Sequence, residues 1–287
     1  MKHFRRSEWV LLAWLGYAAA VAALRPVSPA VRYVTILFNL EVAACLTLLA
    51  YAASLRGSPL LGIARDWLPF FVLLLAYREM AWFALPFRGH ALENAWVAWD
   101  RLVLRGGGRA VIEFLGPVLP AALEVCYTLV YALGPFAVAM LYCYRRRDRV
   151  DGFLLTLSLG VLLCYAQFPL WPSEPPRSVF PGQDFPTYGT LFRRFNWWLL
   201  ASYGMHTSVF PSAHVAGAFS AALGMRRALP GQPWVGRLLW GMAISIATAT
   251  VYGRYHYLAD ALAGLAMALV AYVLSGWLIS RKTMQPA

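Results

Sequence analysis

Eight apolar runs of bilayer-crossing length follow one another along the chain, and short segments rich in arginine separate them. They cover residues 9–24, 31–55, 67–85, 118–142, 153–170, 211–227, 235–252 and 256–279. A spanning helix needs about 20 apolar residues, a length each of these runs approaches or exceeds. They therefore predict an all-α, polytopic transmembrane helical bundle of about eight spans, with six to eight as the range. Only 13% of the residues are charged, against roughly 25% in soluble domains, so a soluble globule of this size is excluded. The net charge of +12 does not point to nucleic acid, because the basic residues sit between apolar runs as in cytoplasmic loops and headgroup contacts. The first run is expected to stay in place and not be removed as a signal, since Arg25-Pro26 makes a poor cleavage region. The four cysteines lie in or beside apolar runs without CxxC spacing and read as packing residues.

Three features interrupt this pattern. Segment 89–109 is amphipathic, with Leu92, Trp96, Trp99 and Val103 at helical spacing among charges, and predicts an interfacial helix broken by Gly106-Gly107-Gly108. Arg78-Glu79 lies inside the third run, where ionisable groups need partners on other helices. Glu41 and Glu124 are candidates to pair with Arg78, and the alternative is a polar path through the bundle. Segment 171–209 is the longest polar stretch and carries Pro172, Pro175, Pro176, Pro181 and Pro186. Loops of that length are often functional. We divide the chain into 1–116, N-terminal spans plus interfacial helix, and 117–287, a helical core bearing the chemistry.

With a cytoplasmic N-terminus, eight spans place Lys2, Arg5, Arg6, Arg56, Arg65, the Arg145 cluster, Arg226, Arg227, Arg237, Arg281 and Lys282 inside. These are the larger share of the basic residues, and Arg25, Arg32, Arg88 and the rest fall outside. On that count the polar loop and both ends of 210–260 face the extracytoplasmic (periplasmic, outer or luminal) side. One end reads Phe210-Pro211-Ser212-Ala213-His214, the other Tyr252-Gly253-Arg254-Tyr255-His256-Tyr257-Leu258-Ala259-Asp260. Pro211 suits a first helical turn, which would leave the N–H groups of Ser212, Ala213 and His214 as an anion pocket. His256 and Asp260, four apart, share a helix face, and a carboxylate at one imidazole nitrogen frees the other to act. Arg177, stiffened by Pro175-Pro176, offers a planar guanidinium suited to phosphate oxygens.

In this order, Pro-Pro-Arg (175–177), Phe-Pro-Ser-Ala-His (210–214) and His-Tyr-Leu-Ala-Asp (256–260) resemble the type 2 phosphatidic acid phosphatase superfamily. They are most like its inositol phosphorylceramide synthase (aureobasidin-resistance) branch. The resemblance implies an integral-membrane lipid phosphatase or phosphotransferase. His256 would be the nucleophile that becomes a phosphohistidine, Asp260 its orienting carboxylate and His214 the acid for the leaving alkoxide. Arg177 and Ser212 would hold phosphoryl oxygens, with Arg254 a further candidate and Arg193 and Arg194 weaker ones. It implies a membrane lipid as substrate, with a lipid or polyol acceptor in a transferase, and no metal or other cofactor. The sequence departs from the broad family pattern at Leu170, where a lysine is usual, and at Thr250, where an arginine is usual. Two other readings stay open here. His214, His256 and Asp260 could form a metal-binding triad, or Arg78, Glu79 and Glu41 could line the path of a transporter or scaffold.

Overall fold

The computed structural model describes residues 3–83, 89–171, 173–205, 207 and 209–280; Lys2, Leu85, Arg88, Pro172, Arg281 and Lys282 lie outside them. The described residues form thirteen α-helices and no strand. These are α1 (Arg6–Leu24), α2 (Pro29–Arg56), α3 (Pro59–Met80), α4 (Ala91–Val103), α5 (Arg109–Glu113), α6 (Val118–Thr128), α7 (Val130–Cys143), α8 (Val150–Tyr165), α9 (Pro176–Val179), α10 (Leu191–Tyr203), α11 (Ala213–Ala228), α12 (Pro233–Tyr252) and α13 (Leu258–Ser280).

Five of them, α1, α2, α3, α12 and α13, are long and apolar enough to cross a membrane. The count reaches six if the α4–α5 segment and α6, bent by 106° to each other, make one broken span. This is fewer than the eight apolar runs suggest, because α8 and α11 have only 16 residues each and α7 has 14. The short helices form the centre. α8 and α11 pack side by side, and α1, α3, α12 and α13 surround them. Lipid tails are as apolar as leucine, so association inside a membrane depends on close packing. α11 presents Ala216, Gly217, Ala221 and Gly224 for this, and a Cβ on Gly160 of α8 would lie 2.0 Å from the Ser220 hydroxyl oxygen. α2 is the opposite case, with Tyr33, Leu37, Leu40 and Leu48 exposed.

The third apolar run begins earlier than its hydropathy suggests. α3 starts at Pro59 and takes in Arg65 and Asp66, because both charges are matched. Arg65 pairs with Glu8 at 2.6 Å, while Asp66 receives Arg5 at 2.5 Å, Arg147 at 2.8 Å and the Tyr142 hydroxyl. Further along α3, Arg78 meets neither expected acid. It donates to the Tyr203 carbonyl, Glu41 is exposed, and Glu79 accepts from Asn39. Glu124 on α6 instead gathers Arg193, Asn196 and the Tyr255 hydroxyl. That network explains α10, a helix inside the expected loop. Thr190 caps it, Arg193 and Asn196 are buried toward Glu124, and Phe192, Phe195 and Trp198 remain exposed.

Candidate active site

The turn between α12 and α13 is held at both ends. The N–H groups of Tyr255 and His256 both donate to the Thr250 carbonyl, at 2.9 and 3.0 Å. Arg254, in the left-handed region at φ +62°, sends its guanidinium to Asp100 of α4, and the other Asp100 oxygen accepts the Leu258 N–H at 2.7 Å. A fully buried arginine needs such a partner. Arg254 is not among the residues that line the cavity described below, although the sequence offered it as a phosphate ligand.

His256 lies in this turn, two residues before α13 begins, and not on the helix itself. The expected contact with Asp260 forms nonetheless. Oδ2 of Asp260 is 3.3 Å from Nδ1 of His256 and accepts the Tyr257 N–H at 2.9 Å. A proton on Nδ1 directed at that oxygen leaves Nε2 with a free lone pair. Burial pulls the His256 pKa down to about 3, with nearby Arg177 acting the same way and the Val209 backbone opposing. The ring is neutral at physiological pH.

α11 brings the second histidine. Ser212 is its N-cap, accepting the Val215 N–H at 3.4 Å, so Pro211 stands before the cap and not in the first turn. The Ser212 N–H is used as well, donating to the Asp260 carbonyl at 3.0 Å. That bond ties the start of α11 to the start of α13, and glycine is required where they meet. A Cβ on Gly264 would sit 2.4 Å from the Ser212 carbonyl oxygen. The N–H groups of Ala213 and His214 remain at the positive end of the helix.

The His214 ring stacks on Tyr127 (centroids 5.1 Å apart, 9° between planes), and its Nε2 is 3.2 Å from the Tyr131 hydroxyl. Tyr127 is stacked on Tyr255 in turn. The centres of His214 and His256 are 5.8 Å apart, with their planes at 55°. Arg177, on α9, donates to the Tyr255 carbonyl at 3.1 Å. Burial lowers its pKa from the ordinary arginine value, while Tyr127, Tyr77 and Tyr255 oppose the shift.

His214, His256 and Arg177 all line one cavity of about 510 Å³. Its remaining wall is largely apolar and includes Phe70, Leu73, Leu133, Leu157 and Val161, the kind of surface that accepts a hydrocarbon chain. Asp260 stands behind His256, and Ser212 serves as a cap beneath the site. Arg193 is engaged with Glu124 and the Gly253 carbonyl, and Arg194 is exposed. Among the described residues no three His, Cys, Asp or Glu side chains are grouped to hold a metal ion. Sequence reasoning missed Tyr127, Tyr131 and Asp100. The two tyrosines are four apart, as two residues gripping one neighbour would be. Asp100 had no signal beyond being an acid on an amphipathic helix.

The fold and the cavity define a helical membrane protein with two histidines and an arginine converging at one end of its bundle. The family model described as PAP2 superfamily matches residues 112–274, more than half of the chain; the chain belongs to that superfamily. A PA-phosphatase related-family protein of Dictyostelium discoideum is 26% identical over 189 residues, 58% of this chain. The chain spans about a third of that relative's length (33%). No solved structure matches it.

Proposed function

We propose that this chain is a membrane enzyme that moves the phosphoryl group of a lipid phosphoester through a covalent intermediate on His256. Nε2 of His256 attacks phosphorus, an N–P bond forms and the bond to the lipid oxygen breaks, while His214, which takes up a proton as the anionic phosphate enters beside it, gives that proton to the departing alkoxide. A nucleophilic histidine divides the transfer into two steps. In the second step a hydroxyl attacks the N–P bond, gives its proton to His214 and frees His256. Water as that hydroxyl yields a phosphatase, and a lipid or polyol hydroxyl yields a transferase, as the motifs like those of inositol phosphorylceramide synthase imply. Asp260 keeps the His256 ring in the reactive tautomer. Arg177 and the N–H groups that start α11, positioned by the Ser212 cap, hold the non-bridging oxygens, and phosphoryl transfer relies on such positioning and dispersed positive charge. These groups supply the charge without a metal. The arginine distribution favours a site on the extracytoplasmic face.

The observation that carries this reading is the 5.8 Å separation of the two imidazole centres beside Arg177 in one mainly apolar cavity. The name of the Dictyostelium relative agrees with it. The test is product analysis with the purified protein on lipid phosphates and phospholipids, with and without chelator and polyol acceptors. Chelator-resistant phosphate release or headgroup transfer is expected, reduced about 10²–10⁴-fold in His214→Ala, the range for a lost general acid. Activity abolished by chelation, or unchanged in His214→Ala, would contradict it.

A further inference from the structure

α3 precedes the segment that the family model matches, yet it forms part of the cavity wall and brings Tyr77 and Arg78 to the end where His214, His256 and Arg177 converge. Arg78 donates to the Tyr203 carbonyl at 2.8 Å and forms no ion pair among the described residues. The described cavity lining contains two arginines, two histidines and no carboxylate. Arg177 is half-buried and Arg78 exposed, so an anion that enters the cavity can reach both guanidiniums without displacing a carboxylate. Leu170, where the motif resemblance leads one to expect a lysine, is not part of the lining, so the loop that carries Arg177 brings no second charge from that position.

We infer that Arg78 is a second substrate-binding cation, holding the anionic phosphate oxygens of the lipid together with Arg177. This rests on the reading of the cavity as a phosphoryl-transfer site. Arg177 and the start of α11 approach the phosphate from the catalytic loops, and Arg78 approaches from α3 and α10. A helix outside the family-matched segment then helps set which lipid phosphates bind. The bland alternative is an arginine extended toward headgroups at the end of a span, which would be indifferent to what occupies the cavity.

The experiment compares full-length wild type, Arg78→Gln and Arg78→Lys in lipid nanodiscs. It measures KM and kcat on a short-chain lipid phosphate, inhibition by inorganic phosphate, and the thermal stabilisation that inorganic phosphate gives. Arg78→Gln should raise KM and the phosphate inhibition constant together by roughly tenfold or more, the loss expected for one charge-assisted hydrogen bond. kcat should fall less, and Arg78→Lys should recover part of the loss. Constants within about twofold of wild type in Arg78→Gln would overturn the assignment. If wild type turns over no lipid phosphate, the catalytic reading fails, and stabilisation by phosphate still decides the role of Arg78. Stabilisation in wild type that is lost in Arg78→Gln supports it. Equal stabilisation in both, or none in wild type, overturns it.

Discussion

At the end of the bundle away from the cavity, Asp66 is shared by Arg5, Arg147 and Tyr142, Glu8 takes Arg65, and Asp151 accepts from Ser7 and the Arg6 N–H. At the cavity end, Arg177 and Arg78 donate to backbone carbonyls and face space free of carboxylates. The same residue type thus has two physical situations. Where an acid pairs with the guanidinium, it staples α1, α3 and α8 together, and removing a partner affects folding. Where it lines the cavity and meets only carbonyl oxygens, it is the proposed partner of an anion that comes and goes. Arg254 is two residues from His256, yet its pairing with Asp100 puts it with the staples, even though its Nε and Nη2 have no partner among the described residues.

This contrast can be broken by substitution. The largest effect should come from His256→Ala, which removes the proposed nucleophile. Turnover should fall by about 10⁴-fold or more with the unfolding midpoint little changed, read by product formation and thermal denaturation in detergent. Asp100→Asn should come next. It loosens the Arg254 and Leu258 anchors without touching substrate, so kcat should fall by roughly 10–100-fold, the effect of a small misplacement of catalytic groups. A kcat equal to wild type would show that the turn holds itself. Asp66→Asn should show the opposite pattern, a loss of about 1–3 kcal/mol in stability, allowing for partial exposure of its arginine partners. Turnover per folded molecule should stay within about twofold, and a larger change would mean that the two ends are coupled.

The smallest effect concerns pH. An unfolded chain protonates His256 near its ordinary value, about 6.5, whereas the folded protein keeps it neutral down to about 3. Acidification from 6.5 toward 3 therefore favours unfolding, while the ring stays reactive as long as the fold persists. Carbethoxylation of His256 in the folded protein should show no midpoint near 6.5. A midpoint there would place the ring in a solvated setting and weaken the case for an enclosed nucleophile.

Much of the cavity end was legible because its parts are local. His256 and Asp260 are four apart and do meet, and the order of apolar runs brings His214 and His256 to the same end. The class of fold followed from run length and lack of charge. What the sequence hid depends on contacts between distant residues. Asp100 and Arg254 are 154 positions apart, and nothing in the spacing around Arg254 says that a left-handed residue turns its side chain toward α4. α10 was hidden inside a proline-containing segment because its inner face is polar, Arg193 and Asn196 toward Glu124, while its aromatics face outward. Fewer long helices than apolar runs are found because α7, α8 and α11 are short, and the hydropathy of a buried helix reports a protein interior as readily as lipid.

The central claim is that a phosphoryl group rests on His256 during turnover. Its most direct measurement is a rapid mix of purified protein with ³²P-labelled lipid phosphate, quenched in alkali, where an N–P bond survives, and followed by peptide mapping. The account predicts label on the peptide containing His256 in the wild type and none in His256→Ala. Full turnover with no protein-bound label, or label that persists in His256→Ala, would contradict it.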